Sequence, residues 1–206
     1  MIRKTGSVRA VFLLLVAGWL SACTLGGTTP PSRFYVLTAG PASLLNGELP
    51  VTVSLGPVTL PDAVLRPQIA TRPEPARMVF AEFHRWAGDL RANVEQVLLR
   101  GLSERLGNNV IHLADGGDID ADYRLAVRFL RFDGTPGRHA VLEGQWRVRT
   151  GDPLCLAEIR NFTIETPLDG NDYTALVEGL GRGLDQLSDE IARVLVKQPS
   201  CRDKPA

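Results

Sequence analysis

The sequence predicts an α+β fold, in which a mostly antiparallel sheet packs against two main helices. Two long stretches carry apolar residues at helical spacing, and several shorter stretches alternate apolar and polar residues with the period of a half-buried strand. Turn residues separate the last three strand-like stretches, as in an antiparallel meander with one solvated face. With 206 residues, of which 44% are apolar and 22% charged, the chain has the length and composition of one globular domain.

Five short strands are predicted in the first half of the chain, at residues 33–38, 50–60, 68–72, 77–80 and 109–113. The alternation in the second of these breaks at Gly56-Pro57, where we expect a bulge or a bend. The third and fourth flank Pro73-Glu74-Pro75. They are predicted to form a hairpin at a sheet edge, because edge strands tolerate proline.

Two helices and three longer strands complete the predicted fold. The helices are expected at residues 89–106 and 172–197, and the strands at 123–132, 139–150 and 158–166. Asn171 or Asp172 can cap the second helix. Gly179, Gly181 and Gly183 lie within that helix, where each glycine costs about 1 kcal/mol relative to alanine. We therefore expect the helix to pack closely on the sheet, with a kink or a partner contact as the alternative.

The first 22 residues have the features of a lipoprotein signal peptide. A basic segment with Arg3, Lys4 and Arg9 precedes the apolar run 11–20, which is too short to span a membrane. The run leads into Leu20-Ser21-Ala22-Cys23, which resembles the bacterial lipobox. In that motif the Cys thiol receives a diacyl group and the chain is cut before it, and two or more acyl chains anchor a protein stably. The alternative is an ordinary cleaved signal with an incidental cysteine.

The predicted organisation is therefore a removed signal at residues 1–22, a flexible tether at 23–32 and a single α+β domain at 33–206. Thr24 follows the lipobox, and a residue other than Asp there favours transfer to the outer membrane in enterobacterial sorting. The whole chain carries 23 basic and 23 acidic side chains. This balance argues against a nucleic-acid binder. The signal contains three of the basic residues and no acidic residue, so the mature chain would be mildly acidic.

Two further cysteines remain for the exported domain, Cys155 and Cys201. In an oxidising compartment a remaining pair suggests one disulfide, which would connect the C-terminal tail to the sheet. Two free buried thiols are the alternative. The cysteines show no zinc spacing, so we expect no metal site.

No residues are arranged for catalysis. The three histidines, His84, His112 and His139, are scattered and are predicted on the surface or on edge strands. The acidic residues from Asp115 to Asp122 superficially resemble a calcium loop, but Ala126 stands where the bidentate Glu of such a loop is required. We expect no catalytic residue, no metal and no cofactor other than the covalent lipid on Cys23.

Several short motifs follow one another along nearly the whole chain after Cys23. They are Phe34-Tyr35-Val36-Leu37, Val53-x-Leu55-Gly56-Pro57-Val58-x-Leu60-Pro61, Leu65-Arg66-Pro67-Gln68-Ile69-Ala70-Thr71-Arg72, Arg85-Trp86-Ala87-Gly88-Asp89-Leu90, Gly144-Gln145-Trp146, Tyr173-x-x-Leu176-Val177 and Leu187-Ser188-x-x-Ile191-Ala192. Together they resemble the auxiliary lipoproteins of MCE-type transport systems, the PqiC/YmbA group of ABC-type transport auxiliary lipoprotein components. Family members often carry Glu-Pro-Leu where this chain has Gly88-Asp89-Leu90, a departure that affects only the start of the first helix.

The resemblance implies a non-enzymatic subunit of an intermembrane lipid transport system. Such a subunit is lipid-anchored on the periplasmic face of the outer membrane. It docks a periplasm-spanning MCE-domain protein, and through it an inner-membrane permease, and it supports envelope integrity. A homo-oligomer is an open alternative for its assembly state. The other function classes that the sequence leaves open are a free-standing lipid- or peptidoglycan-binding lipoprotein and an envelope hydrolase.

The partner surface is predicted near the proline-punctuated strands at residues 68–80, with Arg66, Gln68, Arg72 and Trp86 as the candidate contacts. For Trp86, a core anchor under the first helix is the alternative.

Overall fold

A computed structural model describes residues 30–41, 45, 52–107, 110–112, 121–150 and 158–197. The described elements, in chain order, are β1 (Arg33–Tyr35), β2 (Val53–Thr59), β3 (Gln68–Glu74), β4 (Arg77–Trp86), α1 (Leu90–Leu106), β5 (Val110–His112), β6 (Tyr123–Thr135), β7 (His139–Thr150), β8 (Glu158–Pro167) and α2 (Tyr173–Lys197). A short 3₁₀ turn, Asp62–Val64, precedes β3. The predicted signal peptide, Cys23, Cys155 and Cys201 lie outside the described residues, as do the acidic residues from Asp115 to Asp120.

One sheet has five strands in the order β5-β2-β6-β7-β8. The predicted meander is confirmed, since β6 pairs antiparallel with β7 and β7 antiparallel with β8. β2 runs parallel to both of its neighbours. The predicted irregularity in β2 is also confirmed, because its register with β6 shifts between Leu55 and Val58. Gly56 has a φ of 141° at this point, and the Gly56–Pro57 peptide is cis.

The second sheet has three strands in the order β1-β4-β3. The predicted hairpin of β3 and β4 is confirmed, and its strands are antiparallel. The prediction that both of its strands lie at a sheet edge is wrong for β4, which is the central strand. β4 continues beyond Phe80 to Trp86, where β1 pairs with it in parallel. The register of β3 and β4 shifts between Gln68 and Ala70. This bulge breaks the alternation of β4, and the sequence pattern therefore indicated a strand that was too short.

The two helices begin at side-chain caps and pack on the five-stranded sheet. The Asp89 carboxylate accepts a hydrogen bond from the Ala92 amide at 2.9 Å, and the Asp172 carboxylate accepts one from the Ala175 amide at 2.8 Å. The predicted close packing of α2 is confirmed. A Cβ atom added to Gly181 would lie 2.8 Å from the Thr38 carbonyl oxygen, and one added to Gly183 would lie 2.8 Å from the Leu142 side chain.

The helices also contact each other through a buried cation. The Arg105 side chain of α1 is 8% exposed and lies 3.2 Å from an Asp185 oxygen and 3.5 Å from an Asp189 oxygen, both on α2. Hydrogen bonds from Arg193 and the charges of Arg193 and Arg105 hold the pKa of Asp189 below its usual range. The ion pairs therefore fix the relative position of the two helices that cover the sheet.

Candidate docking surface

The outer face of the three-stranded sheet carries a row of three side chains from its three strands. Phe34 of β1 stands opposite Arg85 of β4, and Arg85 stands opposite Gln68 of β3. Residues directly opposite each other on paired strands point to the same face of a sheet. Phe34 is 65% exposed, which is unusual for an aromatic side chain on a strand, whereas Arg85 and Gln68 are half-buried.

A second contact extends this row at the hairpin. The guanidinium carbon of Arg66 lies 4.2 Å from the centre of the Phe80 ring, which is a cation–π geometry. Both side chains are exposed, with Phe80 at 36%. We define Phe34, Arg66, Gln68, Phe80 and Arg85 as the docking surface. It combines two aromatic rings with two guanidinium groups and one amide.

Strand β1 is held in place by a side chain from α1. The Asn93 amide oxygen accepts a hydrogen bond from the Leu37 amide at 2.7 Å, and the Asn93 nitrogen donates to the Leu37 carbonyl at 3.2 Å. This pair of bonds substitutes for a strand partner just after β1. The backbone amide of Ala87 donates to the Tyr35 carbonyl at 2.9 Å and extends the pairing with β4. Phe34 is thus presented from a fixed backbone.

Trp86 lies beneath the docking surface, in the core, where it is 6% exposed. Its backbone amide donates to the Pro67 carbonyl at 2.8 Å, which fixes the loop that carries Arg66. An open groove of about 460 Å³, lined by Leu65, Arg66 and Trp86 among others, lies at this loop. This placement corresponds to the core-anchor alternative of the sequence prediction, and Trp86 is also among the residues that line the groove.

Arg72 lies away from the docking surface, at the other end of the hairpin. Its Nε donates to one carboxylate oxygen of Asp133 at 2.8 Å, and the Nε of Arg131 donates to the other oxygen at 2.8 Å. Asp133 is 1% exposed and lies on β6. Thr135 donates its hydroxyl to the Arg72 carbonyl at 2.7 Å. These bonds connect the three-stranded sheet to the five-stranded one, and the Arg72 guanidinium is engaged within the protein.

The structure therefore brings Arg66 and Gln68 together, with Trp86 below them, and separates Arg72 from them. The sequence prediction did not include Phe34, Phe80 or Arg85 among the candidate contacts. The sequence signals for Phe34 were the aromatic character of residues 33–38 and its place in the motif Phe34-Tyr35-Val36-Leu37. The pairing of β1 with β4, which is not local in the sequence, is needed to place Phe34 beside Arg85.

His84 belongs to an aromatic cluster, and its predicted location on the surface or on an edge strand is wrong. It is half-buried on the central strand β4 and stacks on Tyr173, with ring centres 4.1 Å apart. The Tyr35 hydroxyl and His84 Nδ1 lie 2.7 Å apart. Burial, and to a lesser extent Tyr35, raise the pKa of Tyr173. The cluster connects β1, β4 and the first turn of α2, and its rings are used in packing.

The described part of the chain contains no group of three His, Cys, Asp or Glu side chains that could hold a metal ion. None of the described helices combines the length and the apolar composition that a membrane crossing requires. What the described residues do offer is an exposed mixture of aromatic and cationic side chains on a braced sheet. Aromatic and arginine side chains are enriched in protein–protein interfaces. This arrangement is chemically suited to contacts with another protein.

The family is shown by comparison with family models. The model of the ABC-type transport auxiliary lipoprotein component matches residues 35–192, and the chain belongs to this family. It is a family of transport components that are lipoproteins, and it is not an enzyme family. Among curated proteins, none matches the chain.

Two crystal structures have the same fold. One, described as an uncharacterized protein, is 22% identical, with a TM-score of 0.65, over 81% of this chain and 99% of its own. The other, from Xanthomonas campestris and assigned to the DUF330 family model, is 18% identical, with a TM-score of 0.63, over 81% of this chain and 100% of its own. The α+β architecture is therefore shared with these proteins.

Proposed function

We propose that this protein is the outer-membrane lipoprotein subunit of an MCE-type intermembrane lipid transport system. Anchored by acyl chains on Cys23, it docks a periplasm-spanning MCE-domain protein, and through it an inner-membrane permease, and so supports envelope integrity. Membership of the transport auxiliary lipoprotein family supports the assignment. The single observation that carries the docking role is the exposure of Phe34, at 65%, in a row with Arg85 and Gln68. The proposal gives the protein no catalytic step.

Two features of the docking surface suit a protein partner. Exposed aromatic rings and arginines are the side chains that most often carry binding energy at protein interfaces. Among the described strands, β1 is also an edge of its sheet, and an edge strand offers unpaired backbone groups to an extended segment of a partner. The side chains of Phe34 on β1 and Gln68 on β3 flank the central Arg85.

The docking role is tested with the acylated full chain as bait and the MCE-domain protein encoded in the same genome as prey. Phe34→Ala combined with Arg66→Ala should reduce the recovered MCE protein at least about tenfold, as expected for the loss of two interface anchors. Leu130→Ala is the matched control, because Leu130 is 56% exposed and lies on β6 outside the docking surface. Equal recovery with the docking variant and the control would refute the assignment of this surface.

The anchor and the location are tested separately. Cys23→Ala should abolish metabolic labelling with palmitate and release the protein from the outer-membrane fraction of a density gradient, since a single residue provides all of the acyl chains. Labelled protein that sediments with the inner membrane would refute the outer-membrane assignment. A folded, anchored chain that recovers no MCE protein would favour a free-standing lipid- or peptidoglycan-binding lipoprotein. Native mass spectrometry of the same preparation gives the number of copies in the assembly.

A further inference from the structure

Two grooves meet at the turn between β4 and α1. The larger groove, of about 460 Å³, is the one that Leu65 and Arg66 line beside the docking surface. The smaller groove, of about 260 Å³, is lined by Val36 and Gln96 among others. Residues 86–90 line both grooves. Because Val36 follows β1 and Leu65 precedes β3, the two grooves lie on either side of the central strand β4.

Gly88 lies in the turn that separates the grooves, and the fold does not require a glycine at this position. Its φ is outside the positive region that favours glycine, and a Cβ atom added to it would meet no atom within 4 Å. A glycine that the backbone does not need makes the unfolded chain more flexible and so lowers stability. Positions that contradict such a local rule are often functional sites. At the surface, Gly88 leaves the boundary between the two grooves without a side chain.

Backbone hydrogen bonds hold three strand ends side by side at this boundary. The Ala87 amide donates to the Tyr35 carbonyl at 2.9 Å, and the Trp86 amide donates to the Pro67 carbonyl at 2.8 Å. Neighbouring strands lie about 4.8 Å apart, so about three residues of extended chain reach from the end of β1 to the start of β3. An extended segment can therefore cross from one groove to the other over the exposed Gly88.

The smaller groove suits apolar side chains. Val36 is 55% exposed in its lining, and the exposed Ala87 and Ala92 also line it. Asp89 is the one acidic residue among the described residues of this lining, none of which is basic. One oxygen of the Asp89 carboxylate already accepts the hydrogen bond that caps α1. Covering Val36 would remove apolar surface from water, which favours binding.

The larger groove carries a positive charge. Arg66 and Arg91 line it and are exposed, and Asp89 is again the one acidic residue in its described lining. Within the described part of the chain, no ion pair involves Arg66 or Arg91. The acidic residues of the flanking elements lie outside the lining, and they are Asp62, Glu82 and Glu95. The groove therefore suits an acidic side chain, since a guanidinium binds a carboxylate through two hydrogen bonds.

We propose that an extended segment of the MCE-domain protein crosses from the smaller to the larger groove over Gly88. Its apolar side chains occupy the smaller groove, and an acidic side chain lies beside Arg66 and Arg91 in the larger one. The inference rests on the proposed function, because it names the part of the same partner that is bound. Arg66 belongs both to the docking surface and to the larger groove, so the segment continues the contact made there. Pockets that take the side chains of an extended segment give such recognition its specificity.

Substitutions of increasing size at Gly88 test the crossing. Gly88→Ala, Gly88→Leu and Gly88→Trp are made in the acylated full chain, and recovery of the MCE-domain protein is measured with each. We expect Gly88→Ala to recover nearly the wild-type amount and Gly88→Trp at least about tenfold less, because the large side chain occupies the crossing. Thr174→Trp is the matched control, since Thr174 is exposed on α2 and lines neither groove. The thermal transition should stay unchanged, because the space around Gly88 is open.

Arg91→Glu tests the charge of the larger groove. It should lower recovery about tenfold, because a like charge then faces the acidic side chain of the segment. Arg147→Glu is the control, because Arg147 is exposed on β7 and lines neither groove. Equal recovery with the two variants would refute the acidic side chain.

Photo-crosslinking in intact cells identifies the occupant of the smaller groove. A benzophenone amino acid replaces Gln96, which is exposed in the lining. We expect a crosslink to the MCE-domain protein, at a peptide that contains both apolar and acidic residues. A crosslink to a second copy of this chain would overturn the inference.

The outcomes separate this inference from the proposed function. Equal recovery with Gly88→Trp and Thr174→Trp, while the docking-surface variant loses recovery, would overturn the crossing and leave the proposed function standing. A wild-type chain that recovers no MCE-domain protein would overturn both. If Gly88→Trp lowers the thermal transition, the crosslink at position 96 decides, and its absence would overturn the inference.

Discussion

The contact that joins the two sheets makes a quantitative prediction for Asp133→Ala. The carboxylate of Asp133 is 1% exposed and accepts hydrogen bonds at 2.8 Å from both Arg72 and Arg131. A hydrogen bond to a charged group contributes about 1.5–3 kcal/mol. The two arginine side chains are 26% and 27% exposed, so they regain water when the carboxylate is removed. We therefore expect Asp133→Ala to lower the free energy of unfolding by about 3 kcal/mol, near the lower end of the range for a broken buried ion pair.

The same contact predicts strong coupling between Asp133 and Arg72. Arg72→Ala alone should cost about 2 kcal/mol, because the buried carboxylate keeps Arg131 but loses one charged donor. In the Asp133→Ala background the same substitution should cost less than about 0.5 kcal/mol, because its partner is already gone. Denaturant unfolding of the four proteins of this double-mutant cycle measures the coupling. Additive losses within about 0.5 kcal/mol would refute the account of how the sheets are joined.

This cycle also separates two roles for Arg72. If Arg72 acts only by joining the sheets, Asp133→Ala should reduce recovery of the MCE protein at least as much as Arg72→Ala does. A loss of recovery that is larger for Arg72→Ala than for the less stable Asp133→Ala would instead return Arg72 to the partner contacts that the sequence predicted.

Two further predictions concern a close approach and a titrating carboxylate. Gly144→Ala should lower the free energy of unfolding by about 2–3 kcal/mol, because an added Cβ would lie 2.2 Å from the Arg128 carbonyl oxygen; an unchanged thermal transition would contradict this packing. Asp189→Asn tests the lowered pKa of Asp189. The charged Asp189 carboxylate stabilises the fold fully above the ordinary carboxyl pKa of about 4, and this stabilisation is lost as the pH falls through the lower pKa of the folded state. The stability difference between wild type and Asp189→Asn should therefore shrink between neutral and acidic pH in denaturant titrations, and a constant difference would refute the assigned cause.

The sequence was most informative where structure is local. Both helices were predicted to within one residue at their starts, because apolar stripes at helical spacing begin there and Asp172 was one of the two predicted caps of the second helix. The capping role of Asp89 was not predicted, since Asp89 was counted as the first residue of its helix. The strands of the meander were recognisable because each is separated from the next by a short stretch with turn residues. Hydrophobic periodicity and turn chemistry determine such features over a few neighbouring residues.

The sequence was least informative where distant segments pair. β1 pairs with the end of β4, about fifty residues later, and β2 pairs in parallel with both β5 and β6. No local pattern specifies such a register. The docking surface depends on the pairing of β1 with β4. The sequence therefore predicted only two of its residues, Arg66 and Gln68. Trp86 was identified as a candidate from its motif, but its burial depends on the same pairing.

The motifs that carry the family resemblance can be divided by what the fold requires of them. Trp86, Gly144 and Trp146 are buried, and packing is a sufficient explanation for each of them. Packing does not explain Phe34 and Arg66, which are exposed, although both belong to motifs of the same series. They come from segments far apart in the chain, yet β1 and β4 place both beside the same three-stranded sheet. Side chains that the fold does not need but that meet at one surface are best explained by a partner, and this is the reason to test the docking surface before any other.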